Sequence, residues 1–531
     1  MHIRRTPRPD RSLRRTGGAL FAVAALLVSA CSSGGSSSAA TADAAGTVAL
    51  GALPRSTPST LAPYYEQNLS WRDCANAPGF QCATMKAPLD YAKPADGDIK
   101  LAVSRRKASG PGERLGSLLV NPGGPGGSAV GYLHGYAGIA YPSQIRARYD
   151  MVAVDPRGAA GSEPVECLTG RQMDTFTQTD LTPDDQGEKA QVVAAFKKFA
   201  EGCGQRYPKL LRHISTVEAA RDMDVLRAVL GDKKLTYVGA SYGTFLGATY
   251  AGLFPDRVGR LVLDGALDPT LSARKLNEEQ TAGFETAFRS FAKDCVSQRD
   301  CPLGRTTAQV GENLKALFER LDSQPLVTGD TDGRQLGESL ATTGVIAAMY
   351  DEGSWPRLRQ ALTDAIREED GTGLLAFADG YYERDASGTY SNLMYANAAV
   401  NCLDLPAAFA TSDQAEAAVP DFEKASPVFG RALAWASLNC AYWPVAPTGK
   451  PQRIEAKGAA PIVVVGTTRD PATPYHWARA LASQLSSARL LTYEGDGHTA
   501  YGRGSECIDA TINAYLLRGT PPVEGKRCSQ P

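Results

Sequence analysis

The chain has 531 residues, 43% of them hydrophobic, enough to bury a large core in one domain carrying an insertion or in two domains. Its 56 basic and 57 acidic residues leave a net charge of -1, so nothing in the charge argues for a nucleic-acid partner.

The N-terminus reads as an export signal. Arg4, Arg5, Arg8, Arg11, Arg14 and Arg15 form a basic head, Ala19 to Val28 a short apolar segment, and Val28-Ser29-Ala30-Cys31 follows. The apolar segment is short for a membrane span. Small residues ahead of a cysteine resemble the lipobox of bacterial lipoproteins, which predicts cleavage before Cys31, lipidation of that residue and a membrane anchor outside the cytoplasm. Arg14-Arg15 hints at twin-arginine export, but the residues after it fit that pattern poorly. Residues 32–63, rich in Ser, Ala, Gly, Thr and Pro, read as a flexible tether.

Setting Cys31 aside leaves ten of the 11 cysteines, an even number in an exported chain, and a disulfide framework follows. Neighbour pairing suggests Cys74 with Cys82, Cys167 with Cys203, Cys295 with Cys301, Cys402 with Cys440 and Cys507 with Cys528, though the sequence leaves connectivity open. With no Cys-x-x-Cys or His-Glu-x-x-His, neither a structural metal nor a cofactor is expected.

Folded sequence is expected from Tyr64. Trp71, Cys74, Cys82 and Pro88-Leu89-Asp90-Tyr91 mark an N-terminal hairpin region, and Ile99 to Val103 a strand. Ser117 to Val120 is a strand entering Asn121-Pro122-Gly123-Gly124-Pro125-Gly126-Gly127-Ser128. Backbone N–H groups of such a loop can face an oxyanion, where one donor is worth roughly 10²–10³ in rate. Neither a phosphate loop nor a dinucleotide fingerprint fits it. Tyr149 to Val154 is a buried strand ending in Asp155-Pro156-Arg157-Gly158, where Arg157 reads as support for neighbouring loops.

Val217 to Leu230 predicts an amphipathic helix. Leu235 to Val238 predicts a strand, Thr244 to Leu253 a helix, and between them stands Gly239-x-Ser241-x-Gly243. A strand turning sharply into a helix around a serine lifts its hydroxyl to the top of a sheet, so Ser241 is the candidate nucleophile. Val258 to Leu263 continues the alternation, which implies a parallel sheet. From about Thr270 to Lys450 the pattern is helical, as in Glu285 to Ala292, Val310 to Leu321 and Leu358 to Ile366, and reads as an insertion covering the sheet top. Strands resume at Pro461 to Gly466 and Arg489 to Tyr493.

Both resumed strands end in chemistry-bearing loops, with Asp470 after the first and His498, in Gly495-Asp496-Gly497-His498-Thr499, after the second. The order Ser241, Asp470, His498 is that of a nucleophile-elbow hydrolase: His498 takes the serine proton and Asp470 holds the imidazole's other nitrogen. Of the other four histidines, His2 is in the signal, His134 and His213 lack a strand-end loop, and His476 falls in an expected helix. Asp264 is a rival acid, and Asp496 reads as shaping the histidine loop.

Taken together, Trp71, Cys74, Cys82, the Pro88-Leu89-Asp90-Tyr91 run, the Asn121 to Gly126 loop, Asp155 to Gly158, Gly239 to Gly243, Asp470 and His498 resemble the secreted tripeptidyl aminopeptidases of the proline iminopeptidase-related α/β-hydrolases. The resemblance spans nearly the whole mature chain. It implies an α/β-hydrolase fold with a mostly parallel sheet and a helical cap restricting substrates to free peptide N-termini. It also implies that Gly124 and Tyr242 supply the oxyanion-hole N–H groups. Two departures stand out: Pro122 replaces a histidine of the intracellular iminopeptidases, and Ala160-Gly161 interrupts the Arg-Gly-x-Gly-x-Ser pattern after Arg157.

The expected organisation is a signal over 1–31, a tether over 32–63, hydrolase core over 64–270 and 456–531, and the cap over 271–455. The expected activity is release of short peptides through an acyl-enzyme on Ser241. A carboxylesterase or lipase uses the same triad, and a silent surface-binding lipoprotein is a third reading. An aminopeptidase needs cap carboxylates for the substrate ammonium; Glu278, Glu279, Glu285 and Asp404 are available, and nothing in the sequence chooses among them.

Overall fold

The computed structural model describes residues 47–529. The expected export signal and Cys31 lie outside the described residues, among which no helix is long and apolar enough to cross a membrane.

One ten-stranded sheet organises the chain. Its strands are β1 (Arg72–Asp73), β2 (Gln81–Pro88), β3 (Asp98–Arg106), β4 (Gly116–Asn121), β5 (Tyr149–Val154), β6 (Leu235–Ala240), β7 (Val258–Asp264), β8 (Ile462–Arg469), β9 (Ala488–Asp496) and β10 (Lys526–Ser529). Their order is β1-β2-β3-β5-β4-β6-β7-β8-β9-β10. Pairing is antiparallel from β1 to the β3/β5 pair and parallel from β5 through β10. The fold is that of an α/β-hydrolase. Apolar runs such as Ile462 to Val465 are buried on both faces, as a helix-covered parallel sheet requires.

Residues 47–63 correct the expected tether, since the folded body already includes them. Ala49 bridges in parallel to Arg453, and the N–H groups of Leu50 and Leu53 donate to the carbonyls of Arg453 and Leu253, both at 2.8 Å. Leu61 is buried. Burial of a few leucines offsets the entropy of ordering the small residues around them.

Between β7 and β8 the chain is helical, as expected. The helices Ala273–Ser297, Thr307–Ser323, Glu338–Met349, Trp355–Thr363 and Thr372–Tyr382 enclose an apolar core of their own, built on Phe288, Phe291, Leu317 and Leu362. A second helical excursion precedes β6, where Gly170–Thr177 and Gln186–Arg206 stand. Its Phe176 and Phe196 share a 250 Å³ cavity with Gln280 and Tyr381 of the later helices. The cover over the sheet therefore draws on two insertions, where the sequence pattern suggested one.

Five disulfides close between neighbouring cysteines: Cys74–Cys82, Cys167–Cys203, Cys295–Cys301, Cys402–Cys440 and Cys507–Cys528. Three of them, Cys167–Cys203, Cys295–Cys301 and Cys402–Cys440, fall in the helical excursions.

Arg157 is 1% exposed and acts as a hub. Its guanidinium makes a bidentate pair with Asp222, at 2.7 Å on each arm, and donates to the carbonyls of Leu89 and His213 at 3.0 and 2.9 Å. It thereby joins the end of β2 to the Thr216–Val229 helix that leads to β6. Asp222→Ala removes the bidentate partner of this buried cation and leaves only Glu218, 3.4 Å away, so a loss of about 3 kcal/mol in stability is expected, readable by denaturant titration.

The Ala160-Gly161 departure has a structural reason. Ala160 sits at φ 44°, and its N–H donates to Asn392 Oδ1 at 2.8 Å. Asn392 in turn donates to the carbonyl of Gly158 at 2.8 Å. The altered loop is thus a seat for the later helices.

Candidate active site

Ser241 lies where β6 ends and the Tyr242–Leu253 helix begins, with φ 56° and ψ -126°. Such positive φ is strained for a residue with a Cβ, and it turns the hydroxyl away from the helix. The turn closes because its neighbours lack side chains. A Cβ on Gly239 would lie 2.3 Å from the carbonyl oxygen of Gly243, and one on Gly123 would lie 2.8 Å from Ser241 Cβ. Asn121 Oδ1 accepts from the Gly123 N–H at 2.9 Å and holds the glycine-rich loop against the elbow. Tyr242 is the first helical residue, so its N–H lacks an intrahelical acceptor. Gly124 and Ser241 line the same cavity.

Asp470 follows β8 and is 2% exposed. Its Oδ1 accepts from the N–H groups of Ala472 and Thr473 at 2.9 and 2.8 Å, and its Oδ2 accepts from Thr499 N–H at 3.2 Å. Both oxygens face His498 Nδ1, at 2.9 and 3.0 Å. With its partners set this way, the carboxylate favours the tautomer protonated on Nδ1 and leaves Nε2 as a base. Nε2 of His498 is buried and, among the described residues, has no hydrogen-bond partner. His498, Ser241 and Gly124 all line one cavity of about 480 Å³.

The rival acid Asp264 does other work. It accepts from the N–H groups of Ala500 and Tyr501, at 3.0 and 2.8 Å, and so braces the loop beyond His498. Burial raises its carboxyl above the usual range against the pull of those two donors. Asp496 forms a bidentate pair with Arg469 at 2.8 and 2.7 Å.

The cap also grips the histidine loop. His498 N–H donates to the carbonyl of Tyr350 at 2.9 Å, and the Tyr350 ring meets the imidazole edge-on with centroids 5.5 Å apart. Arg503 donates to the His498 carbonyl at 2.8 Å while pairing with Asp351 and Glu352 at 2.7 and 2.8 Å. Tyr350 was not predicted from the sequence, which carries no periodic signal for such a contact. Thr473, 3.5 Å from His498 Nδ1 through its hydroxyl, was also missed; its position three residues past Asp470 on a strand-end loop is the signal that marks it.

A second cavity, of about 250 Å³, shares Gly124, Ser241, Tyr350, Tyr381 and Asn397 with the first and continues past Tyr242 to Asp404. Of the four cap carboxylates, Asp404 alone lines it. Glu278 faces Lys275 at 3.5 Å, Glu279 accepts from His476 at 2.6 Å, and Glu285 accepts from Arg289 and Ser426 at 2.8 and 2.9 Å.

A serine hydroxyl at a helix N-terminus, a carboxylate-held imidazole and a glycine-rich loop around one cavity are the components that acyl transfer needs.

The family described as TAP-like protein matches residues 426–528. Serine protease Hip1 of Mycobacterium tuberculosis is 37% identical over 489 residues, 88% of this chain and 92% of that protein. Carboxylesterase B of the same organism is 38% identical over 483 residues, 88% of this chain and 91% of its own. Tripeptidyl aminopeptidase of Streptomyces lividans is 32% identical over 485 residues, 87% of this chain and 86% of its own.

Proposed function

The chain belongs with those relatives to the TAP-like family of α/β-hydrolases and is a serine hydrolase, and from that premise we propose that it is an exopeptidase releasing short peptides from free N-termini through an acyl-enzyme on Ser241. In this reading Ser241 attacks the scissile carbonyl while His498 Nε2 takes its proton and later delivers it to the departing amine. Asp470 holds the imidazole in the required tautomer and stabilises the imidazolium. The N–H groups of Gly124 and Tyr242 receive the oxyanion; removing one such donor costs roughly 10²–10³ in rate. Water then releases the acyl group with His498 as base.

The observation that carries the peptidase reading is the cap-enclosed cavity beside Ser241. It is roofed by Asn277, Gln280, Tyr381 and Asn397 from three helices of the insertion, which supports a short acyl portion over a continuous polypeptide. The relatives named serine protease and tripeptidyl aminopeptidase support peptide substrates. The relative named carboxylesterase B favours a second reading, ester hydrolysis by the same residues.

The test compares a tripeptide anilide bearing a free N-terminus, its acetylated form and a simple acyl ester. The exopeptidase reading expects the free peptide to be turned over at least tenfold faster than the blocked one; equal rates on both contradict it, and turnover of the ester alone selects the esterase.

We place the mature protein outside the cytoplasm, lipid-anchored at Cys31. The basic head, short apolar segment and small residues ahead of Cys31 support this, as do five disulfides, which persist in oxidising compartments. A core over 47–270 and 456–531 with a cap over 271–455 is the organisation we favour, with the helices of 170–206 added to the cap.

A further inference from the structure

The two cavities that meet at Ser241 differ in a way that assigns their occupants. His498 lines the larger and is absent from the residues lining the smaller. In acyl transfer the imidazole protonates the leaving group, so the leaving group lies on the His498 side and the acyl portion lies on the other. The acyl portion therefore enters the cavity that runs past Tyr242 to Asp404.

That cavity is one-sided in charge. Among the described residues lining it there is no Lys, Arg or His, and its acids are Asp268 and Asp404. Asp268 is the more heavily used of the two: its Oδ1 accepts three donors, Thr270 N–H, Thr270 Oγ1 and Gln484 Nε2, at 3.0, 2.7 and 2.9 Å, while its Oδ2 takes none among the described residues. Among the described residues, Asp404 takes donors from Thr216 alone, its N–H at 2.9 Å and its hydroxyl. A carboxylate offers about four acceptor positions, so capacity remains. Thr216 Oγ1 also lies 2.6 Å from the hydroxyl of Tyr242, the residue after the nucleophile.

We infer that the Asp404 carboxylate is the seat of a primary ammonium carried by the acyl portion of the substrate. This rests on the peptidase reading above. The ammonium is either the α-ammonium of a short peptide or the side chain of a lysine just ahead of the scissile bond. A purely structural role, capping the Thr216–Val229 helix, accounts for less. Ser215 already caps that helix through Glu218 N–H at 3.2 Å, and burial without a cationic partner lifts the Asp404 carboxyl to about 7 despite the Thr216 donors. An arriving ammonium supplies the missing partner.

The experiment measures kcat/KM of wild-type and Asp404→Asn enzyme on free trialanine anilide, its acetylated form, an acetylated peptide with lysine before the anilide, and an acyl ester. Fluorophosphonate titration counts competent sites. The preference for the ammonium-bearing substrate over the ester is expected to fall about 100-fold in Asp404→Asn, mainly through KM, and Asp404→Glu is expected to keep at least a tenth of it. Loss on the free peptide identifies the α-ammonium; loss on the acetylated lysine peptide identifies the side chain. An unchanged preference, or a parallel loss on all four substrates, overturns the assignment. If the Asn variant yields no titratable sites, Asp404→Ser, which retains an acceptor for Thr216, carries the same readings. Equal turnover of free and acetylated trialanine by wild-type enzyme defeats the exopeptidase reading instead, and that outcome is visible before any variant is made.

Discussion

Ser241→Ala is expected to lower kcat/KM on every substrate by roughly 10⁴–10⁶, because the triad acts as a unit and loss of its nucleophile removes the covalent route altogether. The strained backbone at Ser241, φ 56°, belongs to the elbow's glycine neighbours, since the Cβ positions of Gly239 and Gly123 are already filled by the turn. Alanine has the same Cβ as serine, so the elbow keeps its shape and the variant folds. Peptidase and esterase turnover must therefore vanish together while the melting temperature holds. Residual turnover of either kind within 100-fold of wild type locates the chemistry elsewhere.

Asp470→Asn is expected to cost about 10⁴ in kcat with the site geometry nearly intact. The carboxylate accepts four N–H groups, from Ala472, Thr473, Thr499 and His498. An amide has one oxygen and one NH₂ in place of two acceptors. If its oxygen stays with Ala472 and Thr473, the NH₂ takes the Oδ2 place 3.0 Å from His498 Nδ1 and competes with that oxygen for the ring nitrogen, favouring the tautomer protonated on Nε2, which cannot accept the serine proton. Fluorophosphonate labelling of Ser241 is expected to slow in parallel with kcat, since both need that base. A variant labelled at the wild-type rate would remove Asp470 from the mechanism.

The sheet and the elbow were legible because they rest on local patterns. Leu235 to Val238 is an apolar run of strand length ending in glycine and serine, and its register beside β4 and β7 follows from burial. Asp470 and His498 were legible by their place after the last strands, since parallel sheets assemble sites at the strands' C-terminal ends. Pairing of nearest cysteines matched the five bonds because each joins segments the fold brings back quickly.

What escaped was tertiary. Leu50 and Leu53 sit among small residues, Ala49, Gly51 and Ala52, and the partners that hold their N–H groups, Arg453 and Leu253, lie far away in the chain. The Gln186–Arg206 helix is the exception, a local signal left unread: its apolar spacing buries Val192, Phe196, Phe199, Ala200 and Cys203, and its Asp185 cap accepts from Glu188 N–H. Asp404 differs from Glu278, Glu279 and Glu285 by nothing in its local sequence. Its distinction comes from facing Thr216, 188 positions away in the chain.

The central claim, that an N-terminal peptide passes through Ser241, is tested most directly by acid-quenching the enzyme during turnover of a free tripeptidyl ester and measuring the mass of the peptide containing Ser241. The predicted result is a tripeptidyl adduct on Ser241 that is absent from Ser241→Ala. Continued turnover with no adduct at any quench time, or an adduct on another residue, would contradict it.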